Sequence, residues 1–243
     1  AVDIDADHIF FTCTHTHKGP DVLGRVTDRK ARGVVPPGYM AEYPGFLAAQ
    51  VEAVSREAAA NARECDLYAN RAYVDENMNR RFFFASGEYR NVPGHKDLIP
   101  ITYGHTDKEL GLVYFCPRGE RLPYGMIVNY TVHPLTAGGF GTLLTADIPG
   151  VVRKVVKETL GCLTCYVTGA AGDNHPKRPE GGFAETRRVG SILATEAINR
   201  SFDAARIEGD LAIKSMTRSI TLKGRTFEEM DEIAGRTGSP RAS

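Results

Sequence analysis

MIVNYTVHPLTAGGFGT, residues 126–142, decides how the chain is read. Met126 to Val132 are nearly all apolar, the pattern of a strand covered on both faces. The run then breaks at His133-Pro134 into a glycine-rich loop. The same plan occurs twice more. FFTCT (10–14) runs into HTHKGPD (15–21), and CYVT (165–168) runs into GAAGDNHP (169–176). Between the last two lies LTADIPGVVRKVVKETLG (144–161), a helix closed by Gly161. Helical spacing also marks PGFLAAQVEAVSREAAANARE (44–64) and GFAETRRVGSILATEAINRS (182–201). Further strands are predicted in DLYANRAYVDENMNRRF (66–82), LGLVYFCP (110–117) and the late pair DLAIKSMTRSITL (210–222). CLTCYVTG (162–169) reads as central, and Thr226 and Glu229 stand at capping-box spacing. Strands alternating with helices predict an α/β fold, a mixed β-sheet covered by helices. Its ligand site is expected at the carboxyl ends of the central strands.

With 243 residues, 42% hydrophobic and 25% charged, the chain is expected to form one domain over 1–243. Thirty basic residues balance thirty acidic ones, so no net field attracts nucleic acid or an anionic membrane. No apolar run reaches the roughly 18–20 residues that a bilayer-spanning helix needs. The opening AVDIDADH lacks the plan of a signal peptide and does not begin with Met, so the chain reads as processed or trimmed and its compartment is left open. Five cysteines argue against a disulfide framework. Cys162 and Cys165 have no second pair to complete a zinc site and read as core thiols. Residues 18–44 read as a long surface loop.

Four of the seven histidines, His15, His17, His133 and His175, fall in the three loops. Neutral imidazole is a common metal ligand, and a catalytic zinc takes about three protein ligands with one position open. On a strand His15 and His17 share a face. With His133 they supply such a set, with Asp147 or Asp173 as ligands or orienting carboxylates. HTH alone fits equally a strand end bonded to backbone, but a matching loop at His133 favours a shared site. The small residues of GAAGD suit an anion-binding nest or a tight turn. Arg80 is a fixed charge for a carbonyl, carboxylate or phosphate, or a solvated strand end. His8, His95 and His105 lack such context.

THTHKGPD (14–21), NMNRR (77–81), NYTVHP (129–134), TADIPG (145–150) and GAAGDNHP (169–176) occur in the order found in the neutral/alkaline non-lysosomal ceramidase family, which the chain resembles over roughly residues 5–235. The resemblance implies a zinc-dependent amide hydrolase in which His15 and His133 bind the zinc. It places His17 and Arg80 beside the scissile carbonyl. His175, next to Asp173, follows a strand end of the same sheet and is expected to point into the same cleft, with both read as catalytic. The chain departs from the family in three ways. GDNHP puts His175 where the family has a serine. The family's Glu and Tyr zinc ligands lie further downstream, whereas the last tyrosine here is Tyr166. The family also has strands ahead of HTH, so the chain corresponds to the middle of a catalytic domain. The implied substrate is an acyl amide or lipid-like molecule, ceramide or a smaller acyl compound. His175 would serve as a third nitrogen ligand, a general base, or a bystander in the turn. Two other readings stand beside this one. One is a non-catalytic remnant of the domain. The other is an amidohydrolase-type barrel, whose first strand also ends in HxH but which needs eight βα units.

Overall fold

The structure is a computed structural model that describes residues 4–20, 42–83, 89–90, 102–137, 143–177, 181–209 and 211–224, with 226, 229 and 232. They fall into two units, residues 11–211 and residues 4–10 with those beyond 211.

The first unit is built on a five-stranded sheet. Strand β1 (Cys65–Tyr73) is followed by three short pieces, β2 (Asn77–Asn79), β3 (Phe82–Phe83) and β4 (Tyr89–Arg90). Next come β5 (Thr102–Tyr103), β6 (Glu109–Pro117), β7 (Gly125–Tyr130), β8 (Leu163–Thr168), β9 (Asn174–Pro176) and β10 (Ala205–Arg206). The main sheet runs β10-β1-β6-β7-β8, with β2 paired to β9 and β3 to β4 and β5 in two small sheets. Only β7 and β8 are parallel in the main sheet, so it is an open mixed sheet and not a barrel of parallel strands. The amidohydrolase-type reading fails here.

The helices are α1 (Tyr43–Ala60), α2 (Asp147–Leu160) and α3 (Phe183–Ser201), each where the sequence predicts one. Alternate strand residues Tyr68, Leu112, Tyr114, Met126, Val128 and Tyr166 are buried on one face of the sheet. Over them pack Ile148, Val152 and Val156 of α2 and Val189, Leu193 and Ala197 of α3, fully buried residues four apart. Each buried valine, leucine or isoleucine among them contributes about 1.5–3 kcal/mol by leaving water. The two helices meet closely at Gly190, where an added Cβ would stand 2.5 Å from the Val151 side chain. Gly161 ends α2 with a φ of 68°, as its position predicts.

Four expectations change. CLTCYVTG forms β8, which has one neighbour among the described residues and lies at the sheet edge; Leu163 is 67% exposed. Cys162 is buried but Cys165, on the opposite face, is exposed, so only one of the two is a core thiol. FFTCT forms no ladder among the described residues; Thr14 is held instead by its carbonyl, which accepts from the Thr168 hydroxyl at 3.0 Å. The late strand pair of 210–222 does not form: residues 211–224 have no regular structure, and β10 lies ahead of them at residues 205–206. The capping box is present: Thr226 and Glu229 exchange backbone N–H to side-chain bonds of 2.8 and 3.2 Å. Most of the long loop, residues 21–41, lies outside the described residues, as does His95.

Candidate metal centre

Where β7 ends, the chain turns through residues 131–137 and buries His133. The His133 N–H donates to the Asn174 carbonyl at 3.1 Å. Its Nδ1 lies 2.8 Å from the Ala171 carbonyl, which can only accept, so Nδ1 carries the proton and Nε2 keeps a lone pair.

Two further imidazole nitrogens meet it. Nε2 of His15 lies 3.0 Å and Nε2 of His17 2.9 Å from Nε2 of His133, with 3.3 Å between His15 and His17. The rings meet edge to face, at 65° to 85°. A tetrahedral zinc bound at about 2.0–2.1 Å sets its nitrogen ligands roughly 3.3 Å apart, so the three histidines fit such an ion. Without a cation, three nitrogen atoms this close have too few protons of suitable direction to bond one another in a ring. Among the described residues, these three are the one group of His, Cys, Asp and Glu placed to share a metal. Loss of water lowers the pKa of His133, and less so the charge of its neighbours, against the raising effect of its bond to Ala171. His17 is lowered first by desolvation, because the neighbouring rings crowd an otherwise exposed side chain, and then by His15. Both effects favour the neutral form that ligates.

His15 and His17 converge as predicted, but not through the pleat of a strand. His15 sits in the left-handed region at φ 61°, and a turn follows at residues 17 and 18. The segment is fastened to the start of α2: the Thr16 hydroxyl donates to the Thr145 carbonyl at 2.8 Å, and the Thr145 N–H donates to the Lys18 carbonyl at 3.2 Å.

Asp147 braces the loop that carries His133. One carboxylate oxygen accepts from the Thr136 hydroxyl at 2.6 Å, the Thr136 N–H at 3.3 Å and the Ile148 N–H at 2.8 Å. The other accepts from the Ala137 N–H at 2.9 Å. With four donors on about four lone-pair positions, this carboxylate acts through the loop and is not a free ligand. Its φ is 52°, and among the described residues His15 and Asp147 are the only non-glycine positions in the left-handed region.

The β2–β9 pairing sets Met78 opposite His175, so Arg80, two residues along, lies diagonally beside His175 on the same face. The Arg80 N–H donates to the Asp173 carbonyl at 2.7 Å, and its Nη1 lies 3.2 Å from Nε2 of His175. The His175 ring stacks on His133, with centroids 5.7 Å apart and planes at 27°. Burial, then the Arg80 charge, then His133 and His17 lower the His175 pKa to about 4. His175 thus enters the cleft of the three histidines without joining their group. Asp173 faces away: its carboxylate accepts from the side-chain amides of Asn79 at 3.0 Å and Asn174 at 2.8 Å, and it lines a cavity of about 480 Å³ with Asn79, Arg81 and His105.

The first glycine of GAAGD answers a need for space. A Cβ at Gly169 would collide with the Thr131 hydroxyl. The Gly169 and Ala171 N–H groups donate to the Tyr130 and Gly169 carbonyls at 3.1 and 2.7 Å, which fits the tight turn better than the anion nest. Sequence reasoning missed Asn77 and Asn79. Both are buried; the Asn77 amide holds the Asp107 carbonyl at 2.7 Å and that of Asn79 the His105 carbonyl at 2.9 Å. A hint was available in NMN, where polar residues occupy the inward positions of a strand.

By fold, the chain is ceramidase-like, and it corresponds to a part of that domain. The crystal structure of neutral ceramidase from Pseudomonas aeruginosa aligns with a TM-score of 0.52 and 18% identity, over 82% of this chain and 32% of that one. A ceramidase complexed with C2 aligns with a TM-score of 0.51 and 17% identity, over 82% of this chain and 31% of that one. The chain therefore spans about a third of either structure's length. No protein family profile and no curated protein matches it.

Proposed function

We propose that the chain carries the metal-binding part of a zinc-dependent hydrolase that cleaves N-acyl amide bonds. The observation that carries this reading is the meeting of three imidazole Nε2 atoms within 3.3 Å of one another. A zinc ion held there supplies Lewis acidity toward the scissile carbonyl and toward water. His15 and His133 are the ligands that the resemblance implies. The nitrogen of His17 is as close as theirs, so His17 is read as a third ligand in place of a substrate contact. Arg80 faces the substrate carbonyl as a fixed donor, held at its backbone by Asp173. Asp147 keeps His133 in place through residues 136 and 137. An acyl-amide, lipid-like substrate is supported by the likeness to structures named as ceramidases.

The test is metal content with amide hydrolysis. Purified protein is expected to retain about one zinc per chain after dialysis and to cleave a fluorogenic short-chain N-acyl amide. Chelation should abolish cleavage and added zinc restore it. Zinc retention without cleavage supports the remnant reading, and failure to retain zinc ends the metal reading altogether.

A further inference from the structure

We propose that His175 is a positioning residue: Arg80 locks it as the ring protonated on Nδ1, and it in turn fixes the guanidinium beside the three-histidine centre, neither ligating the metal nor taking a proton in turnover. The last part rests on the hydrolase reading above; the lock itself does not.

A guanidinium has five N–H donors and no acceptor, so the His175 Nε2 facing Arg80 Nη1 at 3.2 Å must present a lone pair. Imidazolium has no such lone pair, and it would set a second positive charge against the first. The ring is therefore neutral, with its proton on Nδ1.

Each alternative role needs an atom that this arrangement withholds. Ligation through Nε2 requires Arg80 to leave. Ligation through Nδ1 requires that nitrogen to be open and unprotonated, yet it is buried without a hydrogen-bond partner. A general base must expose a lone pair to substrate or water, and the single lone pair is taken. The ring also pairs with His133 at a 27° tilt, and the Nδ1 of His133 is committed to Ala171, so the two imidazoles are placed together.

Arg80 needs such a partner. Among the described residues no carboxylate lies within ion-pair distance of it, and its Nε is buried without a partner. An unpaired, half-buried guanidinium has several rotamers open to it. The bond to His175 selects one, and the β2–β9 register delivers both residues from adjacent strands.

The experiment is two-bond ¹H–¹⁵N correlation of the imidazoles in metal-free and cadmium-loaded protein. Metal-free protein is expected to show His175 as the Nδ1–H tautomer from pH 8 to 6, and Arg80→Ala to convert it to a tautomer mixture. With ¹¹³Cd, couplings should appear at His15, His17 and His133 and not at His175. An Nε2–H tautomer in wild-type protein, or a cadmium coupling to His175, overturns the proposal. If no metal binds, the hydrolase reading fails while the metal-free tautomer still decides the lock. Kinetics give a second measure. His175→Ala should lower kcat about 10- to 100-fold with zinc retained, a usual loss for a residue supporting a metal site. His175→Gln, whose carbonyl oxygen can accept from Arg80, should recover most of it with an unchanged pH profile. Equal loss in both variants refutes positioning by hydrogen bond.

Discussion

Replacing Asp147 by Ala tests whether the centre is built through its loop. The substitution strips the acceptor from four donors, the Thr136 N–H and hydroxyl, the Ala137 N–H and the Ile148 N–H. A buried polar group left unpaired costs about 1–3 kcal/mol. Thr136 is 2% exposed and incurs the full cost, whereas Ala137 is half-buried and water recovers part of its bond. Alanine also tolerates a φ of 52° less well than aspartate, adding about 1 kcal/mol. The sum is roughly 3–5 kcal/mol, a large share of the 5–15 kcal/mol that holds an ordinary domain together. Asp147→Asn keeps one acceptor oxygen and a residue suited to that φ, so about 1–2 kcal/mol is expected. Urea denaturation followed by circular dichroism measures both, and zinc titration below the transition reports the coupling to His133. If Asp147→Ala stays within about 1 kcal/mol of wild type with unchanged zinc affinity, the carboxylate is not the brace that its four bonds imply.

His15→Ala, His17→Ala and His133→Ala should each remove bound zinc, measured by elemental analysis; retention in His17→Ala alone would return His17 to the role of substrate contact. Metal-free protein should lose stability as pH falls from 6.5 toward about 4. His175, His133 and His17 bind protons less readily folded than unfolded, so the unfolded chain takes up more protons across that window. A urea midpoint independent of pH in this range contradicts it. Gly190→Ala should destabilise by about 1–3 kcal/mol despite alanine's better helix propensity, because the new methyl meets Val151; a raised Tm would show that α2 and α3 part freely. Thiol labelling should reach exposed Cys165 well before Cys162, which is buried and whose pKa burial raises to about 11.

Much of the site was legible because strand-end histidines are a local signal. His15, His17 and His133 stand out by their position after apolar runs, and those runs end where the cleft lies. What spacing does not encode is how each imidazole turns once there. The left-handed backbone at His15 and the bond from Arg80 to His175 decide which rings share a point, and both depend on contacts distant in sequence. The same limit applies to the sheet. An apolar run says that a strand wants cover but not how many partners it finds, so β8 reads as central yet has one ladder neighbour among the described residues. FFTCT has strand composition but no ladder partner among the described residues. The side chains of Asn77 and Asn79 bond carbonyls 26 to 54 positions away, and no local window contains those partners.

The left-handed conformations of His15 and Asp147 set fold robustness and chemistry against each other. Glycine or asparagine at position 15 would relieve the backbone, and the ring that meets His133 would be gone. A laboratory selection that rewards heat resistance alone should therefore drift toward such residues at 15 and abandon the imidazole cluster while improving the scaffold. A selection that also requires metal retention should leave position 15 untouched and seek its gains elsewhere, under α2 and α3. The substitutions that accumulate under the two regimes would then separate the part of this sequence kept for folding from the part kept for chemistry.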